Sequence, residues 1–414
     1  MSQLRYWIWL TNIPGLSLTS QLRLIRGFEG PEEVFLADRE ALGRVGGLNR
    51  QELDAVEKRD LRRADQVLED CARLQIRILT MQDAAYPRRL LSIENPPPVL
   101  YYKGTLLPFD QLPAVAVVGS RKASAYGLAT AKKMGCQIGA CGGVVISGAA
   151  RGIDSLALEG ALSTGAPVAA VLGNGLDIVY PYEAKNLYAD VIRQGCLISE
   201  FVPGTKPLGT NFPRRNRIMS GLSLAVLVVE AAKKSGSLIT ADLAMEQGRD
   251  VFAVPGNVGL EACEGSNLLL QEGAMLATCG WDVVQCYQAR FPDRIRRTNA
   301  GEQLTLSPQD AKYIYKPEKQ EITSSEAGSA ESNSEKRIDN AGKRNYIDLQ
   351  RIKDQLTEDE MVLVELLRPG QKHVDDIIAE SGMPAARVLA SLTLLEVKGF
   401  VVQQPGKRFD LNIE

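Results

Sequence analysis

The chain has 414 residues, 45% of them hydrophobic and 24% charged, with a formal net charge of -2. This is ordinary globular composition and too long for one compact domain, so two to three domains are expected. A near-neutral balance excludes global attraction to nucleic acid and leaves only a local patch for such binding.

The opening "MSQLRYWIWLTNIPG" has a short apolar run but no small-residue cleavage site, and no run approaches the ~20 residues that span a bilayer. The expectation is a cytoplasmic protein without membrane contact. Residues 1–80 read as a helical domain of the helix-hairpin-helix or SAM-like kind, with apolar residues at helical spacing. Two loops within it, "NIPGLS" (Asn12–Ser17) and "RVGGLN" (Arg44–Asn49), could aim N–H groups at a phosphate. A plain helix-packing unit is the preferred reading, because such loops are weakly specific.

After the proline-rich extended connection "ENPPPVLYYKG" (Glu94–Gly104), short apolar runs alternate with helical stretches: "AVAVVG", "VVISG", "PVAAVLG", "CLISE", "LAVLVVE" and "VFAVPG". Runs that are apolar throughout suit strands covered on both faces. They predict an α/β, Rossmann-like, doubly wound and mostly parallel sheet from Pro113 to Gln288, within a domain spanning 86–290. Residues 294–354 are polar and read as a flexible linker. Residues 355–414 read as three helices and a β-wing, a C-terminal winged-helix domain. In it Val388, Leu389, Leu392 and Leu395 are expected to form the core.

Chemistry is expected in the loops after the strands. The single histidine, His373, excludes a Ser-His or Cys-His pair in the central region and a His-based metal site. Seven cysteines lie without a CxxC pair and read as reduced thiols. "GSRKASAYG" lacks the spacing of a dinucleotide fingerprint, and no GxxxxGK[ST] occurs. No cofactor, metal or catalytic residue is expected.

What remains is basic. Between Glu200 and Glu230 there is no carboxylate, yet Lys206, Arg214, Arg215 and Arg217 lie there, the arginines within "NFPRRNR". With Arg121 and Arg151 from other strand-end loops they predict contact with a run of phosphates. Arg121, Arg214 and Arg215 are assigned to ligand. Arg217 has two open readings, ligand contact or an internal pair with Glu200 or Glu230. Asn216 either meets ligand or ties down backbone, and Phe212 is either core or a stacking platform for bases. Asp154 reads as a helix N-cap, and Lys233 and Lys234 as a solvated face.

"VVGSRKASAYG", "SGAARGID", "AVLGNGLDIVYP", "SEFVPGTKPLGTNFPRRNRIMSGLS", "LVVEAAKKSGSLITADLAMEQGRDVFAVPGN" and "EGSNLLLQEGA" together resemble the DprA (Smf) family of DNA-processing proteins, from about Tyr86 to Met275. The resemblance implies an extended Rossmann fold that binds single-stranded DNA in a basic pocket. It also implies a homodimer that loads RecA recombinase onto DNA during natural transformation. By motif, DNA contacts fall on Ser120, Arg121, Gly148, Arg151, Gly152, Phe212, Arg214 and Arg217. Some members carry a lysine closer to the Phe-Pro; here that place is Gly209 and the nearest lysine is Lys206. The alternative is a nucleotide-binding or nucleotide-cleaving Rossmann enzyme with Glu200 or Glu230 as acid/base. "KKSGSLITA" lacks the PGGxGT-like pattern of such enzymes.

Overall fold

Apolar residues at helical spacing fold the N-terminal segment into α1 (Leu4–Thr11), α2 (Leu18–Gly27), α3 (Pro31–Leu36), α4 (Arg39–Arg44), α5 (Arg50–Glu57) and α6 (Arg62–Arg73). Ser17, Asp38 and Asn49 cap three of them by accepting a backbone N–H in the first turn. Buried Glu52 accepts from the Ser17 N–H at 3.2 Å, the Ser20 hydroxyl at 2.7 Å and the Asn49 N–H at 3.1 Å. It therefore binds the two glycine loops to each other, and the N–H of Ser17 is spent inside the unit.

This computed structural model describes residues 3–300, 356–368, 370–397, 400–404 and 408–411. They fall into two compact units, the first carrying the N-terminal helices and the sheet, the second beginning at residue 356.

Two strands arise where the sequence suggested a helical end and a connection: β1 (Arg77–Thr80) and β2 (Val99–Gly104). Behind Pro96, Pro97 and Pro98 the chain is already extended and cannot continue a helix. It pairs antiparallel with a strand almost a hundred residues later, Gly104 opposite Cys196, and β1 pairs antiparallel outside it. After α7 (Arg88–Leu91), which precedes β2, the six apolar runs become β3 (Ala114–Val118), β4 (Val144–Ser147), β5 (Val168–Leu172), β6 (Cys196–Ser199), β7 (Ala225–Val228) and β8 (Asp250–Ala253). The helices between them are α8 (Ala125–Ala140), α9 (Ile153–Leu162), α10 (Lys185–Gln194), α11 (Asn211–Leu222) and α12 (Gly236–Glu246). Next come α13 (Glu264–Gln271), a two-residue strand β9 (Met275–Leu276) and α14 (Gly280–Val284).

The nine strands stand in the order β1-β2-β6-β5-β4-β3-β7-β8-β9, parallel from β6 to β9. Strands β3 to β7 are buried along their whole length, because helices cover both faces. On one face α8, α9, α10 and the N-terminal helices share a core with Val115, Val145 and Leu197; on the other, α7, α11, α12 and α13 pack over Ala116, Ile146 and Val226. The chain stays packed past residue 290: Ile295 is fully buried and the Arg296 N–H donates to the Cys141 carbonyl at 3.1 Å. The stretch read as a linker lies outside the described residues from 301 onward.

The second unit is a winged helix of α15 (Glu358–Leu367), β10 (Lys372–His373), α16 (Val374–Ser381), α17 (Ala385–Val397), β11 (Val401–Gln404) and β12 (Arg408–Leu411), with sheet order β10-β12-β11. Val388, Leu392 and Leu395 face its core with Leu363, Ile377 and Phe409. Leu389, expected inside, is 48% exposed. One residue past Val388, it has turned about 100° away from the core line. Arg387 on α17 is paired with Asp359 at 2.5 Å. Lys398 and Lys407 lie outside the described residues. No described helix is long and apolar enough to cross a membrane.

Candidate nucleic-acid interface

From β3 the chain winds one way through β4, β5 and β6, then restarts beside β3 at β7 and winds the other way. The loops leaving β3 and β7 must part, and a crevice opens at the carboxyl ends of the strands. Here it is a cleft of about 1050 Å³, walled by the loops after β3 and β7, by α11 and by the segment entering α13.

The arginines of "NFPRRNR" lie on the first two turns of α11, and the helix sends Arg215 to one side and Arg214 and Arg217 to another. Arg214 and Arg217, three residues apart, share a side and meet Glu200 at the end of β6. Arg217 is held by it, with Nη1 and Nη2 donating to the carboxylate at 3.2 and 2.7 Å; the two side chains are only 10% and 4% exposed. The internal reading of Arg217 is thus the one the geometry realises. Arg214 is half exposed, 3.4 Å from Glu200, and its guanidinium lies 5.6 Å from the ring centre of Phe201. The carboxylate missing from its sequence neighbourhood comes from the preceding strand.

Arg215 points inward, to the floor of the cleft. It is 3% exposed, with Nη1 donating to the Val171 carbonyl and lying 3.3 Å from the sulfur of Met219, while Nε has no partner. Burial pulls its guanidinium down to about 10, with Asp154 opposing. Burial likewise pushes the Asp154 carboxyl up, against the pull of Arg215, Arg121 and the Gly148 N–H. Asp154 is not the N-cap of α9, a place taken by Gly152; its Oδ2 accepts the Gly148 N–H at 3.1 Å instead. Asp154 thereby fixes the loop after β4. A Cβ on Gly148 would lie 2.1 Å from Nη1 of Arg215, so this glycine admits the buried guanidinium. Gly152 has φ +90°, and a Cβ there would lie 2.4 Å from the Ser120 carbonyl. It lets the loops after β3 and β4 pass each other.

The exposed end of the cleft belongs to Arg121 and Phe212. The exposed Arg121 guanidinium sits 4.6 Å from the ring centre of half-buried Phe212. Tyr180 flanks the same ring at 5.7 Å with a 31° tilt, and Gly173 lies beneath it, where a Cβ would be 2.9 Å from the ring. Phe212 is therefore a half-buried, supported ring with the Arg121 guanidinium over it. Ser120 lies at the foot of the loop, its hydroxyl accepting the Lys122 N–H at 3.1 Å. Asn216 donates from Nδ2 to the Gly236 carbonyl at 3.4 Å and so ties α11 to the turn before α12. Arg151 pairs with Glu183 at 2.6 Å near the surface, and Lys206 is exposed. Neither is among the residues that wall the cleft.

Sequence reasoning missed Tyr180 and the whole β7 wall, Lys233, Lys234, Ser235, Ser237 and Thr240. The signal was the position of "AAKKSGS" after a strand, but only the strand order places that loop opposite Ser120 and Arg121. The carboxylates left as acid/base candidates are engaged. Glu230 caps the approach to α8, accepting from the Ser124 N–H at 2.8 Å and the Ser124 hydroxyl at 2.5 Å, and Glu200 is paired as described. Among the described residues no group of three or more His, Cys, Asp or Glu could hold a metal ion.

The family model for DNA recombination-mediator protein A matches residues 77–288, and a model for the DprA winged helix domain matches 349–407. Protein Smf of Synechocystis is 32% identical over 99% of this chain and 98% of its own. The DNA processing protein DprA of Streptococcus pneumoniae is 44% identical over 49% of this chain and 71% of its own. The X-ray structure of DNA processing protein A from the same organism superimposes with a TM-score of 0.61 at 35% identity, covering 68% of this chain and 97% of that one. With six strand-end loops in the family's order around one cleft and a winged helix beyond them, this chain belongs to the DprA (Smf) family of DNA recombination mediators.

Proposed function

We propose that this protein binds single-stranded DNA across the switch-point cleft without reading its sequence, and that it loads RecA recombinase onto that strand, in the cytoplasm, during natural transformation. The observation that carries the DNA reading is the pair Arg121 and Phe212: an exposed guanidinium lies over a supported aromatic ring, and by swinging out to a phosphate it would uncover that ring for a base. Every base has a flat face and every nucleotide a phosphate, so such a site takes any sequence. Ser120, Gly148, Gly152, Arg215 and Asn216 shape the loops and the floor of that site. Arg151, Arg214 and Lys206 serve the strand as it leaves. The loading role is supported by family membership.

The protein acts without bond cleavage in this reading, with Glu200 and Glu230 both held by structural partners. A homodimer is part of the proposal. Ile239, Met245, Leu268, Met275 and Leu276 are large apolar side chains exposed on α12, α13 and the edge strand β9. An open strand edge beside exposed apolar residues is a ready pairing surface.

The test is a titration with single- and double-stranded oligonucleotides at two salt concentrations. Single strands are expected to bind more tightly, with an affinity that falls as salt rises. Equal affinity for duplex would remove the single-strand assignment, and turnover of a nucleotide by the purified protein would replace this reading by the enzymatic one. RecA loading is tested by the rate of RecA filament formation on single strands with and without the protein.

The winged helix is proposed as a docking module rather than a duplex reader. Asp375 and Asp376 open α16, and the α17 arginine is already paired with Asp359. Base reading needs free Arg or amide side chains on the recognition helix. A chain ending at residue 300, which keeps Ile295 in the core, is expected to bind single strands nearly as well as the full protein. Isolated residues 350–414 binding duplex tightly and selectively would overturn the assignment.

A further inference from the structure

The β7 wall of the cleft holds a side chain whose orientation the fold does not explain. Thr240 lies on α12, one turn after Gly236, is 1% exposed, and its Oγ1 is buried without a hydrogen-bond partner. Helix side chains lean toward the N-terminus, so Thr240 lies over the first turn of α12. A helical threonine ordinarily satisfies its hydroxyl on the carbonyl four residues back. Here that carbonyl, of Gly236, accepts from Asn216 instead. Thr240 lines the cleft together with Ser235, Gly236 and Ser237.

Other polar groups of the same turn line the cleft with it. Ser235 Oγ accepts the Ser237 N–H at a long 3.3 Å and lies 2.7 Å from the Ser237 hydroxyl, while the Gly236 N–H has no partner among the described residues. The first turn of an eleven-residue helix carries partial positive charge. Lys234 is exposed at its entrance and makes no ion pair among the described residues. Lys233 stands 3.5 Å from Glu264, and Glu261 also faces the cleft. These carboxylates narrow the choice of ligand to an anion that reaches the turn itself.

We propose that the first turn of α12, with Thr240, Ser237 and Lys234, is a second phosphate subsite across the cleft from Arg121 and Phe212. It rests on the reading of this cleft as the seat of a single strand. The two subsites lie on one frame, because the Asn216–Gly236 bond joins α11 to this turn. The phosphate is that of a strand already held at Arg121, or that of a free nucleotide.

The test uses the full chain and Thr240→Val, which removes the hydroxyl and keeps the shape, beside Lys234→Gln and Arg121→Ala. The probes are dT oligonucleotides by anisotropy, and inorganic phosphate and thymidine monophosphate by thermal shift. Thr240→Val is expected to bind dT oligonucleotides about tenfold more weakly, as loss of a bond to a charged group predicts. Its salt slope stays unchanged because the lost group is neutral, whereas Lys234→Gln lowers the slope by about 0.7. Without ligand, Thr240→Val is expected to melt no lower than the parent, since an unsatisfied buried hydroxyl is gone. A lower melting point with intact affinity would make Thr240 a packing residue and overturn the subsite.

Wild-type affinity in Thr240→Val with a loss in Arg121→Ala would also overturn it, while leaving the strand reading standing. If the parent does not bind dT at all, the strand reading fails instead. Phosphate or thymidine monophosphate raising the melting point of the parent but not of Thr240→Val would then assign the subsite to a free nucleotide. No shift in either would end the proposal.

Discussion

Arg217→Ala is expected to lower the free energy of unfolding by about 3–5 kcal/mol, because it leaves a buried carboxylate without its main partner. Glu200 is 4% exposed and takes two hydrogen bonds from Arg217. Arg214, at 3.4 Å and half exposed, can compensate only in part. The Arg217 Nη1 also donates to the Arg214 carbonyl at 3.2 Å and so stiffens the turn that carries Phe212. Urea or thermal denaturation checks the stability, and oligonucleotide titration on the folded protein checks the affinity, which is expected to survive. An unchanged denaturation midpoint together with weaker DNA binding would return Arg217 to the strand-contacting set that the family resemblance implied.

Phe212→Leu gives the second large effect, and its sign is opposite: stability nearly kept, affinity lost. Stacking of one base on an aromatic contributes about 1–3 kcal/mol, roughly a 5- to 150-fold change in dissociation constant. Leucine retains contact with Gly173 but presents no flat face to a base or to the Arg121 guanidinium. Arg121→Ala, by contrast, removes a charge and is expected to lower the salt slope by about 0.7 for a single strand. Measuring both variants at several salt concentrations separates stacking, which is insensitive to salt, from phosphate pairing. If Phe212→Leu binds as well as the parent, Phe212 is a wall of the cleft and Tyr180 becomes the candidate platform.

Much of this protein could be read before its structure was known. Strands covered on both faces are apolar throughout, so "AVAVV", "VVIS", "VAAVL", "CLIS", "AVLV" and "VFA" announced themselves one by one, and the loops behind them marked the edge where the cleft opens. The winged-helix core was legible for the same kind of reason: Val388, Leu392 and Leu395 repeat at the period of a helix. The one helix cap read from sequence, Asp154, gives way to Gly152, while Ser17, Ser124 and Ser235 take orphan N–H groups at caps that the sequence reading did not name.

Tertiary structure decided the rest, and it did so through partners distant in sequence. β2 is a strand because β6 offers it an edge, a pairing across almost a hundred residues that no local pattern encodes. The cleft exists because β7 returns to the side of β3, which sets "KKSGS" against "GSRK"; chain order does not state neighbours. The three arginines of "NFPRRNR" look equivalent in sequence. A helix turns about 100° per residue, so Arg215 meets the floor beneath Gly148, while Arg214 and Arg217 share the side of Glu200, the first half exposed and the second buried against that carboxylate. Residue type makes this stretch cationic, whereas helix phase and the fixed position of Glu200 determine which of its charges remain exposed.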